Sequence, residues 1–580
     1  MMDLKKIHQR VEHEGLSFLT ITLPTFGKGL EKALDLKKAD PSLFPAFHTR
    51  RGECLPRFLG GFTDRVFDRA SGVLLTAPDI DAIRSIRQLT LMFGKILVPC
   101  SDARVEKAYV EYLDCEKEVR VNDTRLSESD ISDFQRVSEI LFGQLFSSID
   151  QLVFDRDRVV PKHGPGATAD RLRGNGKYLQ STWPVRLQDV FPWEDFLVPN
   201  SSFWDELGDS VNLLEPGSEI PVKVISVPKT LKTPRIIAVE PTAMMYMQQA
   251  MWHLFKDGIM EDDFLRRVIG FHDQSPNQRL ARKGSRNGTL ATLDLSEASD
   301  RVSNQLVREM LVSYPHLHGA VDACRSRKAD VFGHGVQRLA KFASMGSALT
   351  FPIEAMVFTT LIFVGIESEL STPLDPAKVR TFAGKVRVYG DDLIVPVDYV
   401  EAVVRVPTTF GSKVNTHKSF WNGKFRESCG KEYYDGEDIS IVRVRQMFPA
   451  QRQHATRVIS LVSLRNQLYE SGYWATCKWL DEEIRNLIRH FPVVLPSSRV
   501  HGRHSFLGYE SQREDGELHR PLVRGYVESS RIPSDPLDGP GALLKFFLKR
   551  GDEPSYDEKH LERAGRPHAV DIKLRWATPY

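Results

Sequence analysis

The chain has 580 residues, 41% of them hydrophobic and 27% charged, enough apolar material for a large core and too much for a disordered or fibrous protein. Its 78 basic residues nearly balance 76 acidic ones, for a formal charge of +2, so any nucleic-acid role must rest on local patches and a tail-driven, histone-like binder is excluded. The cysteines are scattered without a C-x-x-C pair, which argues against a structural zinc or a disulfide framework and fits a reducing cytoplasm.

The start, MMDLKKIHQRVEHEG, lacks the apolar run of a signal peptide. Residues 1–60 mix short apolar runs with charge and are expected to form an N-terminal region packed on the C-terminal part. Helix-like periodicity follows in AIRSIRQLTLMFGKIL and SDISDFQRVSEILFGQLF. The segments HGPGATAD (163–170) and RGNGKY read as long ordered loops of the kind that is usually functional.

From residue 219 the periods alternate: PVKVISV and RIIAV predict strands, TAMMYMQQAMWHLFKDGIM a helix and TLATLDLS a further strand, so the body is α+β. The run 221–239 carries Lys223, Lys229, Lys232 and Arg235 without an acid. Its alternation with Val and Ile anchors it in a core, which favours a phosphate-binding arm over a solvated basic face. In TLDLSEASD, Asp294 ends an apolar alternation where a carboxylate gains nothing by burial, so it is a candidate catalytic or metal-binding acid, with helix capping as the plain alternative.

FASMGSALTF brings Ser344, Gly346 and Ser347 into a small-residue turn able to approach a sugar, or merely to cap a helix. The apolar stretch 348–366 approaches bilayer length, yet Pro352, Glu354 and the lack of flanking anchors make it a buried helix rather than a membrane span. KVRVYGDDLIVPV predicts a hairpin whose tip holds Asp391 and Asp392, adjacent carboxylates whose repulsion a divalent cation relieves. If its strands adjoin that of Asp294, the acids can hold two Mg²⁺ ions about 3.5–4 Å apart, the arrangement for in-line phosphoryl displacement. NTHKSFWNGKFRESCGKEYY then interleaves Lys418, Lys424 and Arg426 with aromatic residues, as nucleic-acid surfaces do, and a core edge strand with snorkelling lysines is the alternative. Helical periodicity returns beyond Tyr434, followed by a Pro-, Gly- and Ser-rich stretch at 531–541 and a short basic end.

Taken in order, NQRLARKGSRNGTLATLDLSEASDRVS, SMGSALTF, VYGDDLIV and NTHKSFWNGKFRESCGKEYY resemble the RNA-directed RNA polymerase of the small positive-strand RNA phages, the levivirus or Qβ-type replicase catalytic subunit, over about residues 164–436. The resemblance implies a right-hand fold, with fingers at 61–287 (basic motif 221–240), a palm at 288–435 and a mostly helical thumb with the C-terminal region at 436–580. It implies metal binding by Asp294, Asp391 and Asp392, with two Mg²⁺ ions and Mn²⁺ able to substitute. Lys229, Lys232 and Arg235 match the motif that grips the triphosphate, Asp300 and the 344–347 loop match the ribose-sensing position, and Lys418 matches the segment proposed to protonate departing pyrophosphate. Where the family usually has Asn and Gly, this chain has Ser347 and Ala348.

Further implications are primer-independent synthesis on template RNA from ribonucleoside triphosphates, no membrane, and work in the infected bacterial cytoplasm beside host elongation factors Tu and Ts and a ribosomal RNA-binding protein. The resemblance also makes the 163–170 loop, with His163, a candidate template RNA contact, a plain surface turn being the alternative. Two other readings compete. A reverse transcriptase would place a bulky aromatic gate shortly after the first acid, where this chain has Ser299 and Asp300. An RNA-binding scaffold or repressor would carry the acids without using them.

Overall fold

The computed structural model describes residues 2–156, 158–531, 534–550 and 569–580, so the Pro-, Gly- and Ser-rich stretch at 531–541 falls partly outside the described residues. The architecture is α+β, and two four-stranded sheets set its centre. The first is antiparallel, in the order Lys413–Val414, Leu290–Ser296, Asp392–Pro396, Arg387–Tyr389. The YGDD hairpin expected from sequence is its edge, with Gly390 at φ 59 in the turn, where a Cβ would come within 2.7 Å of the Phe351 ring. The second sheet runs Arg235–Val239, Val222–Val227, Lys328–Val331, Gly335–Arg338, with the basic arm in its outer hairpin and Val227 paired with Arg235.

The helix Thr350–Leu370 explains why the acid-bearing sheet stands where it does. It is apolar on every side and must therefore be covered on every side. Its most apolar window is 78% buried, beneath the helices Glu128–Phe154 and Val400–Thr409, which makes it a core helix as its sequence predicts. It packs against Arg387–Tyr389, so one face of the acid hairpin rests on the main core.

The opposite face is closed by a part of the chain remote in sequence. Hairpin Phe425–Ser428/Lys431–Tyr434 contributes Phe425 and Tyr434, with Phe420 before it and Ile439 after it, to a second core whose other members come from residues 18–86. The N-terminal region thus packs on this hairpin rather than on the C-terminal helices; it is Ile96, with Met92, Phe93 and Val98 beside it, that joins the core of Ala455–Glu470 and Trp474–Leu487. Two buried acids of the helix Leu23–Leu36 secure the joint. The Asp35 carboxylate accepts the backbone N–H groups of Trp421 (2.9 Å), Asn422 (3.0 Å) and Gly423 (3.3 Å). Glu31 and Glu432 share the fully buried Arg87 guanidinium at 2.9 and 2.7 Å. Further along, Asn175 accepts from Lys545 at 2.7 Å through its side-chain oxygen, bringing the helix Gly539–Leu548 back to the 174–179 turn.

Removing one member of a buried charge cluster leaves the others without compensation. Arg87→Met is therefore expected to lower unfolding stability by on the order of 3 kcal/mol, the low end of such losses because Lys28 and Arg443 still face Glu31 and Glu432. A denaturant titration with an unshifted midpoint would show that the cluster does not hold the N-terminal region in place.

Candidate active site

Strand register brings the acids together. Asp294 lies directly opposite Asp392, and Asp391 occupies the turn before it. The Asp294 backbone is fixed on its far side by the 413–420 segment: its N–H donates to Ser419 Oγ (3.1 Å) and its carbonyl accepts from Asn415 N–H (2.8 Å). The side chain accepts from Asn415 Nδ2 at 2.9 Å and pairs with Lys418 Nζ at 3.2 Å. Asn415 is a site residue that sequence reading passed over; the strand pairing of Lys413–Val414 with Ser296 and Leu295 is what delivers it.

These groups line a cavity of about 480 Å³. Asp294, Asp391 and Lys418 line it together with Lys229 and Arg235 from the basic arm and with Asp300 and Tyr112. Lys232 is exposed in the loop of the arm and does not line the cavity. Loss of water holds the Lys229 pKa below the usual lysine value, helped by the like charges of Arg235 and Lys418 and opposed by Asp391 and Asp294. Burial raises the Asp294 pKa, Lys418 opposes the shift, and Asp391 adds to it.

Asp392 is placed differently. Its carboxylate accepts the Cys429 N–H at 3.2 Å and lies outside the cavity lining. Burial, then repulsion from Asp391, pushes its pKa up to about 7. Another acid enters from the core helix: Glu354 lines the cavity, and burial, then Asp391 and Asp300, raises its pKa well above the carboxylate range. In sequence Glu354 read only as an obstacle to membrane insertion. Among the described residues, no group of three or more His, Cys, Asp or Glu side chains is placed to hold a metal ion.

The 344–347 loop is turned more toward protein than toward the cavity. Its backbone is bound to the basic arm, since Ala238 N–H donates to the Met345 carbonyl at 2.9 Å, and Gly346, at φ 132, lies where a Cβ would collide with the Ala238 carbonyl. Ser344 is buried with its hydroxyl 3.0 Å from Tyr112 Oη, and Ser347 donates to Gln248 Oε1 at 3.0 Å. Met345 and Asp300, rather than the serine hydroxyls expected to meet a sugar, form that part of the lining.

Among the expected RNA contacts, Arg426 requires correction. It is fully buried, and its guanidinium donates to the carbonyls of Leu290 (2.6 Å), Gly423 (2.7 Å), Phe425 (2.7 Å) and Trp421 (3.2 Å). Its donors tie the acid strand to the neighbouring hairpin, so it is unavailable to RNA. Lys424 is exposed and paired with Asp435 at 2.8 Å. The His163 ring stacks on Tyr246 at 4.3 Å and meets Tyr178 edge-on at 4.7 Å, which leaves the exposed 165–167 tip as the accessible part of its loop.

Residues 218–479 match the family model described as RNA replicase, beta-chain. The chain is 30% identical over 302 residues to the RNA-directed RNA polymerase beta chain of Enterobacteria phage fr, covering 52% of this chain and 49% of the relative. It is 36% identical over 223 residues to that of Escherichia phage MS2 (38% of this chain, 37% of the relative) and 36% identical over 256 residues to the RNA-directed RNA polymerase subunit beta of Escherichia virus Qbeta (44% and 38%). The matches thus span about half the length of the first relative and less of the other two. Among solved structures, the BmCPV RNA-dependent RNA polymerase at elongation state aligns with a TM-score of 0.36 at 12% identity over 58% of this chain and 31% of that one, and the polymerase of a human picobirnavirus with 0.31 at 13% over 42% and 52%.

A carboxyl whose folded pKa is raised stabilises the fold while protonated, and that contribution is lost as pH rises through the folded value. For Asp392 the loss runs from the ordinary carboxylate range up through about 7. In metal-free buffer Asp392→Asn, whose amide oxygen can still accept the Cys429 N–H, is expected to raise the apparent Tm at pH 8 by roughly 2 °C or more and to lose that gain at pH 4. Equal shifts at both pH values in differential scanning fluorimetry would contradict the repulsion.

Proposed function

We propose that this chain is an RNA-directed RNA polymerase, the catalytic subunit of a positive-strand RNA phage replicase, adding ribonucleotides to a growing strand under direction of an RNA template. The observation that carries this reading is the register of Asp294 against Asp392 with Asp391 at the adjoining turn, Asp294 and Asp391 sharing one cavity with Lys229, Arg235 and Lys418. A cavity lined by both carboxylates and cations suits a polyanionic substrate that arrives with divalent cations. The replicase match over 218–479 covers these residues.

The donor set fits Mg²⁺. Asp294 and Asp391 offer hard oxygen ligands, and Mg²⁺ commonly takes one or two carboxylates and completes its shell with water and substrate phosphate. Two Mg²⁺ ions, with Mn²⁺ as a substitute, would lower the pKa of the 3′-hydroxyl and neutralise charge on the phosphates. The chain's own residues do the rest. Lys229 and Arg235 bind and orient the triphosphate, and Lys232, farther out on the arm, attracts it. Lys418, balanced by Asp294 in the free protein, is positioned to donate a proton to pyrophosphate as negative charge develops there. Asp392 accepts the Cys429 N–H and so ties the acid turn to the neighbouring hairpin. Base pairing selects the nucleotide, so the protein tests shape and sugar.

On this reading Asp300 senses the ribose, and its place on the cavity wall favours RNA synthesis over reverse transcription. Initiation without a primer, template contact by the 163–170 loop and by Lys424, action in the infected host cytoplasm, and partnership with host elongation factors Tu and Ts and a ribosomal RNA-binding protein belong to the same proposal on the strength of the resemblance. Fingers at 61–287, palm at 288–435 and thumb within 436–580 are its domain reading.

Asp391→Asn is expected to reduce Mg²⁺-dependent incorporation on a defined RNA template by roughly a hundredfold or more. RNA retention on filters should stay within about twofold, because the acids repel the RNA backbone rather than bind it. Undiminished incorporation would remove the catalytic assignment and leave an RNA-binding scaffold. Running the wild-type assay with and without the host factors tests that dependence, which full activity of the chain alone would refute.

A further inference from the structure

Behind Asp300 lies a buried cluster that the proposed chemistry does not use directly. Lys341 is completely buried, an unusual position for a lysine. Its ammonium pairs with Asp300 Oδ1 at 2.9 Å and Glu116 Oε1 at 3.3 Å, and stands 3.5 Å from the centroid of the Tyr112 ring. Tyr112 and Glu116 both belong to the helix Asp102–Asp123, which lies outside the residues that match the replicase family model.

The cluster holds the cavity wall from several directions. The Glu116 carboxylate also accepts the Ala340 N–H at 2.6 Å, fixing the backbone beside Lys341. The Cys115 thiol donates to the Asp300 carbonyl at 3.3 Å, and Tyr112 Oη meets Ser344 Oγ at 3.0 Å. Asp300 is thereby gripped by backbone and side chain, and both parts of the expected sugar-sensing pair are tied to one helix. Although burial disfavours its charge, Asp300, Tyr112 and Glu116 together keep the Lys341 pKa above the ordinary lysine value.

We propose that Lys341, clamped by Tyr112 and Glu116, is a positioning residue that orients the Asp300 carboxylate on the cavity wall and so sets how strongly the site prefers a ribose to a 2′-deoxyribose. A carboxylate has about four acceptor positions, so one bond from Lys341 leaves capacity for a substrate hydroxyl while removing rotational freedom. A free Asp300 would meet a 2′-hydroxyl only after an ordering cost; a clamped one has already met it. The helix Asp102–Asp123 thus acts on sugar choice without touching the reacting atoms. This inference rests on the polymerase reading.

The test uses the full chain and compares kcat/KM for a ribonucleoside triphosphate and its 2′-deoxy counterpart on one RNA template. In Lys341→Met the ribose preference is expected to fall on the order of tenfold, mainly through a higher KM for the ribonucleotide. Lys341→Gln, which can still donate a hydrogen bond, should recover part of it. Adding Lys341→Met to Asp300→Asn should cost no further preference, because Lys341 acts through Asp300, whereas independent roles would add. A preference within about twofold of wild type, or additive losses, overturns the inference. So does failure of both Lys341 variants to fold, which would make the lysine a structural residue. Templated synthesis with an unchanged preference defeats this inference alone, while absence of templated synthesis by the wild-type chain defeats the polymerase reading itself.

Discussion

Carboxylates crowded into a partly dry cavity repel one another, and much of the structure is arranged around that repulsion. Asp294, Asp391 and Glu354 share one cavity, with Asp392 just outside it and Asp300 on its wall. Burial favours the neutral forms of Asp294, Asp392 and Glu354. Lys418, paired with Asp294, and Lys229 and Arg235 on the arm supply the opposing charge. Acids and cations are thus set against one another within a single cavity. The raised pKa of Asp392 and Glu354 is the cost left over, since neither has a counter-charge at contact distance among the described residues.

Holding such a site requires rigid surroundings, and these come from segments far away in sequence. The core helix Thr350–Leu370 supports the acid hairpin on one side. On the other, Asp35 and Arg87 bind the N-terminal region to the 420–439 segment, which leads directly from Lys418. Arg426 joins that segment to the strand of Asp294 through the Leu290 carbonyl. A buried arginine bonded to carbonyls is spent on structure, because its planar set of donors is already satisfied. The same pattern recurs at Lys341, where a buried cation is placed to orient a cavity residue.

Much of the site was legible in sequence because it is built from local patterns. Alternation ending in Asp294, β-branched runs around Gly390-Asp391-Asp392 and the Pro-stiffened basic arm each specify a strand, a tight turn or an extended hairpin by short-range sterics and burial. The misreadings share a cause. Phe420, Phe425, Tyr434 and Arg426 look alike whether they face RNA or a core, and only the cover provided by residues 18–86 decides between the two. Ser344 and Ser347 looked like sugar contacts, yet Tyr112 and Gln248 take their hydroxyls. Charge density along the helix Asp102–Asp123 concealed the buried stripe of Ala108, Tyr112, Cys115 and Val119, although its spacing was there to be read.

The amino-acid sequence by itself determined the strands around the acid pair, the acid hairpin and the basic arm, since each depends on neighbours within a few positions. Tertiary structure alone decided which charged side chains face the cavity and which are buried as ties. That choice depends on desolvation and on partners tens to hundreds of residues away: Arg426 is withdrawn by Leu290, Lys341 is held by Glu116, and Glu354 is turned from a core-helix anomaly into a cavity acid.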